Sequence, residues 1–214
     1  MIRPRLLAVT AAMALVAFTG VVSASVSGAA SPRVGTAGVA RLPSVPMARQ
    51  AARWIAGNFT SEGYVPTAPG SDQPDLSSTA ESILALSAAN QDLSTARSGL
   101  AYMGAHVDQY VRSNGVDGPG QLGLLILDAA AQGADPRSFG GSDLVSRLLA
   151  TEQERGPDRG LFGTEAQVGD YAAGGYQQGL ALAALAAAGV RGQGQLGPAI
   201  NWLIHQQCPD GGWT

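Results

Sequence analysis

Few side chains in this 214-residue chain have types suited to chemistry, and several of them crowd into its last ten residues, "HQQCPDGGWT". His205, Cys208 and Asp210 are spaced like metal ligands. Structural zinc takes four ligands, and catalytic zinc takes three plus a water. His106 is the only other histidine and Cys208 the only cysteine, so we assign no metal site. Disulfides need even numbers of cysteines, and Cys208 is expected to pair with a partner absent from these residues. A second string, "GQGQLG" from Gly192 to Gly197, has the spacing of a dinucleotide fingerprint. That fingerprint requires a preceding strand, whereas a run of alanines and leucines precedes it here, so it reads as a linker between helices. Asp128 sits in "LLILDAAA". Burying a carboxylate without partners is costly, so it is either hydrogen bonded, turned toward a cavity or near the helix end, and a buried acid is a functional candidate. The remaining candidates open three apolar segments: Asp75 and Thr79, with Ser77 and Ser78, begin the first, Gln121 the second, and Tyr176, Gln177 and Gln178 the third. Helix starts present free N–H groups and a partial positive charge, which suits an anionic or polar ligand. Simple capping by Asp75, Ser77 or Ser78 is the competing role.

These residues depend on helices of two kinds. Leu93, Ala96, Leu100, Met103, Val107 and Tyr110 recur at steps of three and four, which puts one apolar stripe on an otherwise polar helix. Residues 141–153 and 196–204 repeat that theme. "QLGLLILDAAA" (Gln121 to Ala131), "GLALAALAAAGV" (Gly179 to Val190) and, less strictly, "STAESILALSAA" (Ser78 to Ala89) are apolar nearly all round. A helix without a polar side must be surrounded by protein. None of these runs reaches the ~18 apolar residues of a membrane span. The order predicted is outer 48–59, inner 76–89, outer 93–112, inner 120–132, outer 141–153, inner 171–188 and outer 194–207. The inner helices start roughly 45 to 55 residues apart, a period that indicates a helical repeat array.

The joints between outer and inner helices repeat as well. "ARWIAGNFTSEGYV" leads to Gly63 and Tyr64, "SRLLATEQERGPDRGLFGT" to Gly160, Leu161 and Phe162, and "INWLIHQQCPDGGWT" to Gly212 and Trp213. Glycine ends each helix through a positive φ, and a large apolar side chain then folds back. The last joint, "W-L-x-x-Q-x-x-x-D-G-G-W", resembles the Gln-Trp repeat of squalene and oxidosqualene cyclases and of protein prenyltransferase β-subunits. That resemblance implies an all-α fold, an α/α toroid of alternating inner and outer helices, over residues 47–214. It also implies that Gln206 or Gln207 stacks with Trp213 to clamp an outer helix to the next inner one, with Trp202, Gly211 and Gly212 completing the motif. In the resembled toroids the inner helix starts point into the mouth of a central cavity. The chemistry does not carry over: no D-x-D-D acid motif occurs, and Cys208 lies in a joint rather than on an inner helix that could hold a prenyltransferase's zinc.

Compartment and charge narrow the function. Met1 to Arg5 carry two arginines, Leu6 to Val22 is apolar, and "SASVSGAASP" offers cleavage after Ala24, Ala29 or Ala30. Residues 1–30 read as a secretory signal peptide, and residues 31–46, without periodicity, as a flexible lead. All 13 basic residues are arginine, as in a GC-rich bacterial genome, and without Arg3 and Arg5 the remainder face 16 acids. No basic patch is present to track nucleic-acid phosphates. The expected protein is secreted or held in the cell envelope, and binds a small hydrophobic or cofactor-like ligand without chemistry. Cobalamin is a candidate ligand by fold analogy, and no catalytic cofactor is expected. The alternative is an isoprenoid cyclase or prenyltransferase relative whose catalytic half is missing. Three inner helices make about half of a six-hairpin toroid, so the chain is expected to be a piece of a longer toroid or to self-associate through uncovered helices.

Overall fold

A computed structural model of the chain describes residues 45–164 and 174–212. The expected signal peptide, most of the expected lead, residues 165–173 and the Trp213 side of the last joint lie outside that range. Among the described residues the protein is all-α apart from two very short hairpins. The elements are α1 (Val45–Ala56), β1 (Val65–Pro66), β2 (Pro74–Asp75), α2 (Leu76–Ala89), α3 (Leu93–Ala105), α4 (Val107–Val111), β3 (Arg112–Ser113), β4 (Val116–Asp117), α5 (Pro119–Ala131), α6 (Leu144–Ala150), α7 (Gly175–Ala187) and α8 (Gln193–His205).

The helix ends follow local chemistry. Asp75, in extended conformation, accepts hydrogen bonds from the Ser78 N–H at 2.9 Å and the Ser78 hydroxyl at 2.7 Å, which starts α2. Asn90, in the left-handed region, stops it by donating its N–H to the Leu86 and Ser87 carbonyls. Pro119 takes the first position of α5, where a missing N–H is tolerated. Asp143 caps α6 as Asp75 caps α2, through Ser146.

Two predicted helices are corrected. The outer helix expected over 93–112 breaks at His106, whose φ of −124° lies outside the helix. Its ring nitrogen Nδ1 is 2.7 Å from the Tyr102 carbonyl and the ring stacks on Tyr102 at 4.1 Å, and helix resumes at once as the short α4. The chain then forms a hairpin, β3–β4, in which Arg112 pairs with Asp117. Its turn is Asn114–Gly115, both with positive φ, a strong hairpin signal that a helical reading passes over. The outer helix expected over 141–153 shortens to seven residues, because Gly140 and Gly141 keep positive φ and the cap waits until Asp143.

Packing separates the helices into two sets. α5 lies against both α2 and α7, and these three apolar helices form one inner row. α1 and α3 pack on α2, α6 on α5, and α8 on α7. The shared core joins Ile83 and Leu86 of α2, Leu122, Leu125 and Ile126 of α5, and Leu185 of α7 to Met103, Leu144 and Leu148 of the outer helices. Burying each such side chain contributes about 1.5–3 kcal/mol. Arg147 on α6 ties this outer helix to the α4–β4 corner, with two bonds to Asp117 at 2.6 and 2.8 Å and one to Asp108 at 2.7 Å.

The three joints share a main-chain pattern. The Thr60 N–H donates to the Tyr64 carbonyl at 2.8 Å and the Gly63 N–H returns to the Thr60 carbonyl at 3.1 Å. Gln153 exchanges the same pair of bonds with Leu161 and Gly160, both at 2.8 Å, and Cys208 with Gly212 and Gly211, at 2.8 and 2.9 Å. Gly63, Gly160 and Gly211 all have φ between 89° and 97°. The hydrogen bonds therefore make Leu161, not Phe162, the counterpart of Tyr64. In the first two joints the glycine also presses on the next outer helix, Gly63 on the Ser98 backbone and Gly160 on the Pro198 backbone, each the sixth residue of its helix.

Candidate functional site

The first turns of the three inner helices converge on one small pocket of about 140 Å³. α2 contributes Ser77 and Glu81, α5 Gln121 and Leu124, α7 Tyr176, Gln177 and Leu180, and α4 adds Tyr110. The helical repeat explains the first set: Ser77 to Glu81 and Gln121 to Leu124 are steps of four and three along one face. Gly120 opens the wall between α5 and α7, since a Cβ there would lie 2.9 Å from the Gln177 Oε1.

The walls are rich in hydrogen-bonding groups that the described protein leaves unused. Gln121 Oε1 and Gln177 Oε1 are buried with no partner. The Tyr110 hydroxyl is pushed well above its ordinary range, first by burial and then by the negative charges of Asp128 and Glu81, with Tyr176 and Asp75 adding to them. Asp128 lies two turns beyond Gln121 on α5, is 0% exposed, and has no partner on either oxygen. Burial alone raises its carboxyl from 3.8 to about 8, so it holds its proton at neutral pH. Glu81 is the one carboxyl group among the described lining residues, and no arginine or histidine is among them. Tyr176 stands at the rim, 79% exposed. Away from the rim the inner helices carry a half-buried apolar stripe, with Leu124 and Leu127 on α5 and Leu180 on α7.

The residues singled out from sequence thus divide. Gln121, Tyr176 and Gln177 line the pocket, and Asp128 lies deeper on the same helix as Gln121. Asp75 is occupied as the cap of α2. Thr79 and Gln178 are buried and face the joints. The Thr79 hydroxyl oxygen accepts the Val65 N–H at 2.9 Å and donates its proton to the Asp75 carbonyl at 2.6 Å. Gln178 Oε1 accepts the Phe162 N–H at 3.0 Å, and its Nε2 donates to the Gly160 carbonyl at 2.8 Å and the Ala199 carbonyl at 3.1 Å. Both residues are the fourth of their helix, and both hold the residue two past the joint glycine.

In the last joint Gln207 donates to the Gly211 carbonyl at 2.7 Å, while the expected stack on Trp213 falls outside the described residues. Gln206 and Trp202 instead line an open surface groove of about 590 Å³ with Arg159, Pro198 and His205. Trp202 is mostly buried and its Nε1 is 3.4 Å from Asp158. Cys208 is a free thiol, half-buried in its turn. Among the described residues no three of His, Cys, Asp and Glu are grouped to hold a metal ion, and no helix is long and apolar enough to cross a membrane.

Sequence reasoning missed Glu81, Leu124, Leu180 and Tyr110 as pocket residues. Glu81 and Leu124 were recoverable from the three- and four-residue steps beyond Ser77 and Gln121. Tyr110 was not, because its periodicity continues the stripe of α3. Compared with known proteins, the chain matches no family model and no curated protein sequence.

Proposed function

We propose that this chain is an exported α/α toroid-type repeat protein that binds a small hydrophobic or cofactor-like ligand at the inner-helix mouth, without turning it over. The pocket where α2, α5 and α7 begin carries this reading, because it sets unused polar groups above a half-buried apolar stripe. The alternation of inner and outer helices and the recurring joints support the toroid part of it. Thermal shift of the secreted protein against cobalamin and a polyprenyl alcohol tests the proposal. One of the two raises the melting temperature, and Leu124→Arg removes the rise; no shift with either ligand rejects it. Sequencing the N-terminus of the secreted product tests export, with cleavage expected after Ala24, Ala29 or Ala30.

One observation favours an isoprenoid cyclase-like enzyme instead. Asp128 is a fully buried carboxylic acid on an inner helix with no partner on either oxygen, and a cyclase of this kind needs an acid to protonate its substrate. Incubation with squalene or geranylgeranyl diphosphate would then give a cyclised product that Asp128→Asn abolishes, and an unchanged substrate removes this alternative. Self-association belongs to the proposal as well: Met47 and Trp54 on α1 and Ile204 on α8 are exposed apolar side chains on the outermost packed helices. Sedimentation equilibrium is expected to give a mass above one chain, and Trp54→Arg to lower it.

A further inference from the structure

The groups around the inner-helix pocket define a ligand chemistry more closely than "polar". We infer that the pocket takes a neutral polyhydroxylated ring, one saccharide unit, either free or as the head of a larger amphiphile. This deepens the binding function proposed above and rests on it.

Three observations carry the inference. The first is charge: Glu81 lines the pocket, Asp75 lies near enough to act on the Tyr110 hydroxyl inside it, and no cationic side chain is among its lining residues. A phosphate or carboxylate would meet negative charge without a counter-ion, which overrides the mild attraction of the helix starts. The second is the mixture of hydrogen-bonding groups. Ser77 and Tyr110 each carry a hydroxyl that donates and accepts, Gln121 and Gln177 each carry an amide that does both, and Glu81 accepts. Two of these groups hold buried oxygens with no donor, so a ligand whose every hydroxyl can donate and accept satisfies what the protein leaves open. The third is shape. Leu124 and Leu180 form apolar walls, and the Tyr176 ring, 79% exposed, stands free at the rim. The C–H face of a sugar ring packs on such a ring while its hydroxyls turn to the amides. At ~30 Å³ per water molecule the pocket holds about five waters, room for about one ring.

A primary or quaternary amine is the competing ligand, because Glu81 and an aromatic ring also suit a cation. The two amides and the two hydroxyls distinguish the cases: a cation needs acceptors alone and leaves the amide NH2 groups idle.

Saturation-transfer NMR on the full secreted protein, with methyl glucoside and N-acetylglucosamine as saccharide probes, and with choline and methyl phosphate as cationic and anionic controls, decides the matter. Saturation is expected on the ring protons of at least one saccharide, with loss of the signal in both Tyr176→Ala and Gln177→Leu. Neither position contributes to the buried core, so circular dichroism of both variants is expected to match the wild type. Saturation of choline alone, of methyl phosphate alone, or of a saccharide with unchanged signal in either variant overturns the inference. The thermal-shift experiment stays separate: a cobalamin or polyprenol shift without saccharide saturation removes the saccharide and leaves the binding function standing. Absence of both removes the function itself.

Discussion

Asp128 is the most expensive side chain in the structure, a carboxyl fully buried on an apolar helix with no hydrogen bond. Its pKa is raised from 3.8 to about 8, so the folded protein keeps a proton that the unfolded chain gives up. Stability therefore falls as pH rises from about 4 to about 8 and levels off above. Asp128→Leu, similar in size, is expected to remove that slope and to stabilise the protein by a few kcal/mol at pH 8, since one pKa unit is worth ~1.4 kcal/mol. Urea unfolding at pH 4, 6 and 8 checks this; a gain that does not grow with pH would show that burial is not what the wild-type carboxyl suffers. Gln178 shows the opposite economy, with its amide fully used by Phe162, Gly160 and Ala199. Gln178→Ala takes the side-chain partner from the Phe162 N–H and the Gly160 carbonyl, as well as a bond to the Ala199 carbonyl inside α8, and is expected to cost about 2–4 kcal/mol, whereas Thr79→Val, which removes the partner of the Val65 N–H, costs about 1–2 kcal/mol. Gln178→Glu discriminates further: its carboxylate still accepts from Phe162 but faces two carbonyl oxygens, so it should be least stable at neutral pH and recover as acid protonates it.

At the scale of elements the joints are the recurring unit, and their glycines are tested by what they touch. Gly63 and Gly160 combine a left-handed φ with a backbone carbonyl where a Cβ would go. Gly63→Ala and Gly160→Ala should each cost upwards of ~2 kcal/mol. Gly70→Ala, also at positive φ but in open space, should cost only about 1 kcal/mol. Equal losses at all three in chemical denaturation would mean that docking on the outer helices adds nothing. The sequence announced these joints through glycine followed by a large apolar residue, and it announced α2 to the residue because Asp75 and Asn90 are strong stop signals. It did not announce the break at His106, because Val107 and Tyr110 continue the apolar period of α3 across it. The break coincides with the contact of His106 with Tyr102, and contacts within a turn do not alter periodicity. The candidate site shows the same limit. Gln177 and Gln178 are chemically identical neighbours about 100° apart around α7, and one lines a pocket while the other clamps a joint. Composition places both at the helix start; only packing on α5 and α8 decides which way each points.

For the whole molecule, the inner row determines how stability is distributed. α5 has an inner helix on either side and an outer helix against it, so its Leu122, Leu125 and Ile126 are all fully buried. Among the described residues α1 packs chiefly on α2 and exposes Trp54 by 72%, and α8 packs chiefly on α7 and exposes Ile204 by 58%. In a repeat array stability is a sum of unit and neighbour terms, so elements with one neighbour open more readily than those with several. Amides of α5 are therefore expected to exchange hydrogen only through global unfolding, with a free energy that follows the urea-derived stability. Amides of α1 and α8 should exchange through local opening, with lower free energy and weak dependence on urea. The proposed self-association would add a neighbour to α1 and α8, so raising the protein concentration should then slow exchange in α1 and α8 while leaving α5 unchanged. Native-state hydrogen exchange at two concentrations reads both effects. Protection in α1 and α8 equal to that in α5 at the lower concentration would mean that the described helices unfold as a single cooperative block. Protection there that ignores concentration would mean that Trp54 and Ile204 face only solvent.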